Sequence, residues 1–303
     1  MLKERLVPFI RPVPQWSAVA MAPPQRPVSV CLSWVGGSRD VTTDHSVASL
    51  RPLIIAIGTD AGASATLDFQ EEGRVLGRLR LEKAGTVPAA GPPLSLYRVV
   101  AGDHWCLPWP WHPWNRWLQS RAARRNRQEH NFHLEPAVLQ QLMICYIDPR
   151  PVVLVSVAAP GHFNIFPMDL IGSVGPRFTL ALRTTNISIP VMRDAGRVVL
   201  SCVPAEMRPA AYELGRHHKL PLQDPALLPF ATRPSPNFGI PAAAAALRTR
   251  ELAIRHAEEI GSHTFFTGEI LFDRPAAEGP QLHHVSGLYQ AYRRRRGAAF
   301  AEA

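Results

Sequence analysis

The stretch Arg150–Ala158 reads RPVVLVSVA, and an echo of it, RPVSVCLSW, stands at Arg26–Trp34, at an offset of 124 residues. Each is an Arg-Pro start followed by a short β-branched run, which suits a strand with a fixed entry. The echo continues. RPLIIAIGT carries Pro52 and GPRFTLALR carries Pro176, again 124 residues apart. EGRVLGRLRL carries Gly73 and AGRVVLSCV carries Gly196, now 123 apart. Three matches in order imply two copies of one unit. In each copy a strand, a polar turn and a second strand lead to a proline-marked turn. A third strand, a short helix or loop, and a strand after Gly-Arg-Val complete it. Runs of this kind bounded by Gly, Pro and Asp predict an antiparallel, mainly β protein, a barrel with few helices.

Between the copies lies DHWCLPWPWHPWNRW, with Trp105, Trp109, Trp111, Trp114 and Trp117. Its prolines argue against a regular helix and for an extended path. This piece reads either as a strap pinned by large apolar anchors or as an aromatic platform for stacking. LEPAVLQQLMICY predicts a helix, with Pro136 in the first turn and Val138, Leu139, Leu142 and Met143 on one face. ISIPVMRDAG predicts a short helix that stops at Gly196. The expected units are 1–103, a degenerate β repeat; 104–135, the Trp-, Pro- and Arg-rich strap; and 136–303, the second barrel.

The chain has 303 residues, 46% hydrophobic and 19% charged, which fits a folded globular protein. Its net charge of +9 favours anionic partners without choosing among them. Arg121, Arg124, Arg125 and Arg127 read as a solvated linker, and Arg293 to Arg296 as a solvated tail. Cys31, Cys106, Cys145 and Cys202 have no metal-ligand spacing. His217–His218 and His283–His284 read as exposed polar pairs, because neighbours on a strand face opposite ways. No metal is therefore expected. The first residues, MLKERLVPFIRPVPQW, lack an apolar leader core, and no run is long enough to span a membrane, so the expected location is cytoplasmic.

No hydrolase, P-loop, zincin or Rossmann motif is present. Four stretches of the second half stand out instead: NIFPMDLIG from Asn164 to Gly172, LRTTNIS from Leu182 to Ser188, NFGIP at Asn237 and Phe238, and GSHTFFTGE with His263 and Glu269. In this order they resemble the flavin reductase-like family of FMN-binding split β-barrels, over roughly Asp148 to Arg293. The resemblance implies a split barrel preceded by a degenerate half-barrel copy. It implies FMN, or else FAD, as cofactor and NAD(P)H as co-substrate, with hydride passing from nicotinamide to flavin N5. It implies a homodimer with flavin at the subunit interface, and a partner oxygenase or another acceptor.

On that reading the backbone from Asn164 to Asp169 is irregular and free of the ladder, and its groups meet the flavin ring. Phe166 and Met168 add apolar contact, with Pro167 between them. Arg183, Thr184, Thr185, Asn186 and Ser188 hold the phosphate, helped by a helix that starts near Ser188. His263 positions the nicotinamide. Asn164 and Asp169 can also be read as turn residues, Arg183 as a surface arginine and His263 as a strand histidine with ordinary partners. At the same offset the first copy has Thr59, Asp60 and Ala61, and an acid there repels phosphate. That copy is expected to keep the strands without the flavin. The alternative is a binding or scaffold protein that meets nucleic acid or an acidic partner through the Arg clusters and the Trp-rich strap; nucleic acid is the less expected partner.

Overall fold

The computed structural model describes residues 12–22, 26–89, 91–109, 111–125, 134–220, 222 and 224–303. After β1 (Trp16–Met21) the first sheet is laid down by β2 (Ser29–Trp34), β3 (Gly37–Asp40), β4 (His45–Leu50) and β5 (Leu53–Ile57). It is completed by β6 (Ser64–Glu71), β7 (Arg74–Ala89) and β8 (Gly91–His104). Helices α1 (Trp111–Arg125) and α2 (Pro136–Cys145) follow, then β9 (Arg150–Pro151). The second sheet opens with β10 (Val153–Ala159), β11 (His162–Met168), β12 (Ile171–Val174) and β13 (Arg177–Arg183). Helix α3 (Ile189–Ala195), β14 (Arg197–Cys202), α4 (Arg208–Glu213), β15 (Thr232–Pro234) and β16 (Pro241–Ala243) lead to the long hairpin β17 (Arg248–Ile260) and β18 (His263–Pro275). The last elements are β19 (Gln281–Ser286), α5 (Gly287–Arg295) and β20 (Ala301–Glu302).

Both large sheets have seven antiparallel strands in the same order. The first runs β3-β2-β6-β7-β8-β5-β4 and the second β11-β10-β14-β17-β18-β13-β12. Strand for strand the connectivity is identical. This topology corrects the third sequence match. Gly73 precedes β7, the counterpart of β17, whereas Gly196 precedes β14, the counterpart of β6. Two Gly-Arg-Val starts fell at a similar spacing because the copies differ in length between the fourth and fifth strands of each sheet, β5–β6 against β13–β14. There the second copy inserts α3, which ends on Gly196 in the left-handed region, while the first crosses by a short loop with no helix.

The sheets meet through equivalent elements. Asp44 bridges to Val174, so the edge next to β4 lies on the end of its own counterpart, β12. Contact of like with like is the mark of a two-fold arrangement, here within one chain. Close approach requires small residues: a Cβ on Gly172 would stand 3.0 Å from the Ser46 side chain. The pleat of β18 then faces two cores. Phe266 joins the interior of the second barrel, and its neighbour Phe265 joins the larger cluster built on the first sheet. The chain ends tie the halves further. β1 pairs with β19, and α2 packs Leu139, Leu142 and Met143 into the first cluster, with Val138 at its margin.

Two other expectations change. Trp111–Arg125 is an α-helix, not an extended strap. Pro113 falls in its first turn, where the missing N–H would have no intrahelical partner anyway. The C-terminal arginines are helical rather than a tail, although Arg294, Arg295 and Arg296 stay exposed to solvent. They form the last turn of α5, where Arg293 donates to Glu71 at 2.6 Å and Arg294 pairs with Glu302 at 3.2 Å. Arg127, and the side chains of Arg124 and Arg125, lie outside the described residues. Among those described, no helix is long and apolar enough to cross a membrane.

Candidate functional site

A cavity of about 680 Å³ opens where the two sheets, the N-terminal segment, α1 and α2 come together. The end of β11 gives it Phe166, Pro167 and Met168, and the following turn gives Asp169. Arg183 closes β13, Asn186 follows it, and His263 begins β18. These seven residues, predicted from three separate stretches, line one space. Leu50 of the first sheet and Trp16 of β1 line it too.

β11 is not irregular. It pairs with β10 in unbroken register from Ala159–His162 to Val153–Met168, with Pro167 opposite Leu154. It is the edge strand of its sheet, where a missing proline donor is tolerated. Any backbone group it offers a ligand lies on the outer edge.

Four predicted residues lie elsewhere. Asn164 is fully buried, and its amide donates to Ser188 Oγ at 2.7 Å and to the His217 carbonyl at 2.8 Å. Ser188 is consumed by that contact, so neither residue faces the cavity. Instead they lock β11 to the start of α3. Thr184 and Thr185 are exposed and do not line the cavity, because the chain turns outward after Arg183. Asn237 and Phe238 are held by the buried Glu251, whose carboxylate accepts from both backbone N–H groups. Glu269 pairs with Arg255 at 2.7 Å, outside the cavity. In the first copy Asp60 is bound to Lys83 at 2.5 Å.

The electrostatics favour an anion beside Arg183. Burial, and after it the charge of Arg51, hold the Arg183 guanidinium below its ordinary pKa. Arg51, from the other sheet, thus adds to the positive field at Arg183, which an anion there would offset. Arg51 was missed in the sequence; it sits at the proline-marked turn between β4 and β5. His263 is kept neutral, its pKa brought down to about 4 by burial and by Arg183. Its Nδ1 accepts the Leu50 N–H at 3.4 Å, which leaves the ring proton on Nε2.

Asp169 anchors a chain the sequence reading overlooked. Its Oδ2 accepts from Tyr146 OH at 2.9 Å and from His284 Nδ1 at 2.7 Å. His284 Nε2 in turn meets Tyr212 OH at 2.8 Å. Burial would raise the Asp169 pKa, but His284 and then Tyr146 outweigh it and hold the carboxyl below its usual range. His284 is therefore a partner of the site, not an exposed polar residue, and His283 beside it is also half-buried. Their strand runs between β1 and β9, so both of its edges are paired. His217 and His218 lie in a 3-10 turn, not a strand. Among the described residues no cluster of His, Cys, Asp and Glu could hold a metal. Replacing His284 by Leu strands the Asp169 charge; a loss of about 3 kcal/mol in urea unfolding is expected. The Asp169→Asn, His284→Leu pair should lose less than the sum of the single changes.

Buried histidines also set the acid limit. His45 is brought down to about 3, and His104, His263 and His283 to about 4, each chiefly by burial, from the ordinary 6.5. The unfolded chain binds these protons more readily, so stability is lost as pH falls from about 6.5 through the folded values. Asp148 acts in the opposite sense, since burial raises it from 3.8 to about 6. Four groups against one predict a urea midpoint clearly lower at pH 5 than at pH 7.5.

No family model and no curated protein matches the chain. Among solved structures it is similar to BorF, the flavin reductase component of a bacterial two-component tryptophan halogenase, at 20% identity over 48% of this chain and 91% of that one, TM-score 0.43. It is similar to the NADH:FAD oxidoreductase SgcE6 of Streptomyces globisporus, at 18% identity over 52% and 95%, TM-score 0.44. It is also similar to the styrene monooxygenase flavin reductase of Pseudomonas putida S12, at 15% identity over 46% and 88%, TM-score 0.38. Over about half its length, the chain is thus similar to flavin reductase split barrels.

Proposed function

We propose that this chain is an FMN-dependent oxidoreductase acting on NAD(P)H, with its flavin site completed by its own N-terminal sheet. The observation that carries this reading is the convergence of Phe166, Met168, Arg183 and His263 on one cavity. A volume of about 680 Å³ is ample for a mononucleotide cofactor. Apolar side chains suit the faces of a planar ring, and the Arg183 guanidinium at the cavity wall, with Arg51 adding to the positive field around it, suits a phosphate. The residues present therefore fit FMN; FAD shares the same half and is the second choice.

When bound between Phe166, Met168 and Arg183, flavin would supply hydride-accepting chemistry. The chain's own groups bind and orient. Phe166 and Met168 exclude water from the ring site. Arg183 fixes the anionic end. Neutral His263 positions through its Nε2 proton without acid–base chemistry, which hydride transfer does not require. Orientation of the two reactants would provide most of the rate. Electrons would leave to an oxygenase or another acceptor.

The first sheet contributes directly. Leu50 fixes the His263 tautomer, and the Arg51 backbone exchanges hydrogen bonds with Ser262. On this reading the first copy takes the place of a second subunit, with one FMN per monomeric chain. Protein mixed with FMN and freed of excess should keep a flavin absorption spectrum that bleaches on anaerobic NADH or NADPH. Absence of measurable FMN binding overturns the reading. A mass measurement should give a monomer; a dimer that loses flavin on dissociation would remove the role assigned to the first sheet.

A further inference from the structure

The far end of the first sheet bears a second cavity, of about 690 Å³, which shares no lining residue with the first. It forms where the end of β8, the start of β7, the entry to α1 and the last turn of α5 meet. We propose that this cavity is a second ligand site, taking a nucleoside phosphate: a planar ring between indoles and a phosphate on guanidiniums.

The anionic half rests on Arg74, Arg295 and Arg296. Arg295, exposed overall, donates to the Cys106 carbonyl, and desolvation at that contact lowers its pKa. Among the described residues neither Arg74 nor Arg295 has a carboxylate within ion-pair distance. Arg296 reaches Glu72 at 3.7 Å, and the cavity's own carboxylate, Asp103, is engaged by Arg80 at 3.4 Å. Two uncompensated guanidiniums match a dianion better than a monocarboxylate.

The planar half rests on Trp105 and Trp109, which is 83% exposed. So large an indole left in water at a cavity rim is an open stacking surface. Deeper in, His104 is 6% exposed, and its buried Nδ1 has no hydrogen-bond partner. Its ring stacks on His112 at 4.2 Å, which holds it rigidly at the cavity wall. A buried ring nitrogen without a partner is a deficit that a ligand or its water can remove.

The probe is AMP, with adenosine and inorganic phosphate as its separate halves, measured by isothermal titration on the full chain at low and moderate salt. AMP should bind at least ten-fold more tightly than either half. Arg74→Gln and Trp109→Ala, both at exposed positions, should each weaken AMP by five-fold or more. Arg183→Ala, in the other cavity, should leave this binding unchanged. Failure of AMP to bind overturns the proposal. So does AMP binding that the Arg74 and Trp109 changes leave intact and the Arg183 change removes, which would place the nucleotide in the first cavity. Phosphate binding as tightly as AMP would also overturn it, because the indoles would then contribute nothing.

Discussion

Replacing Arg183 by Ala should weaken FMN binding by about 10- to 100-fold while leaving the thermal midpoint nearly unchanged. A charge-assisted contact to a phosphate contributes about 1.5–3 kcal/mol, which sets that range. The stability half of the expectation follows from the same geometry. Arg183 is partly buried and Arg51 opposes its charge, which offsets part of what its contacts contribute to the fold. Removing it relieves that repulsion and also the burial of a cation. Arg183→Lys separates charge from fork. If the phosphate is held bidentately, Lys recovers only part of the affinity. Titration of each variant with FMN and with riboflavin decides the matter. Wild type should prefer FMN strongly, and Arg183→Ala should lose most of that preference. An unchanged FMN affinity would place the phosphate elsewhere, and the assignment of this cavity would fall with it.

The sequence made the strands readable because they alternate with sharp punctuation, and the first two repeat matches fall on equivalent strands. Phe166, Met168, Arg183 and His263 could be singled out because each sits where a strand begins or ends in an odd local pattern. Thr184, Thr185 and Ser188 were misplaced for a physical reason. Hydroxyls after a strand suit a phosphate loop, but only the backbone path decides which way they point, and Asn164 takes Ser188 for itself. Arg51, Leu50 and His284 were not legible at all. Each acts across a contact more than a hundred residues distant in sequence, and nothing local marks it. The tryptophan segment shows the opposite error. Its prolines were weighed by number, whereas position governs: a proline in the first turn of a helix leaves the helix intact.

The seam between the sheets should be the weakest point to substitution, and Gly261→Ala tests it. Gly261 forms the tight turn between β17 and β18 with φ of +55°, a conformation that strains any residue with a Cβ. An added Cβ would also stand 2.2 Å from the Arg51 carbonyl oxygen. That carbonyl is backbone, and it already accepts the Ser262 N–H at 2.9 Å, so it cannot move aside without breaking the contact. Strain and clash together predict a loss of about 3 kcal/mol, or a fall in thermal midpoint of roughly 6–12 °C for a chain of this size. The damage should not stop at stability. The turn carries Ser262 and His263, and Leu50 and Arg51 reach the cavity side through them. FMN affinity should therefore fall as well, even at temperatures where the variant is fully folded. A change such as Gly196→Ala, also at positive φ but with open space around the added Cβ, provides the control. It should show backbone strain alone, with a smaller fall in midpoint and FMN binding intact. Equal effects from the two changes would mean that the seam adds nothing to the site. A loss of FMN confined to Gly261→Ala would show that the first sheet, though it has no helix and no phosphate loop of its own, is part of the cofactor machinery.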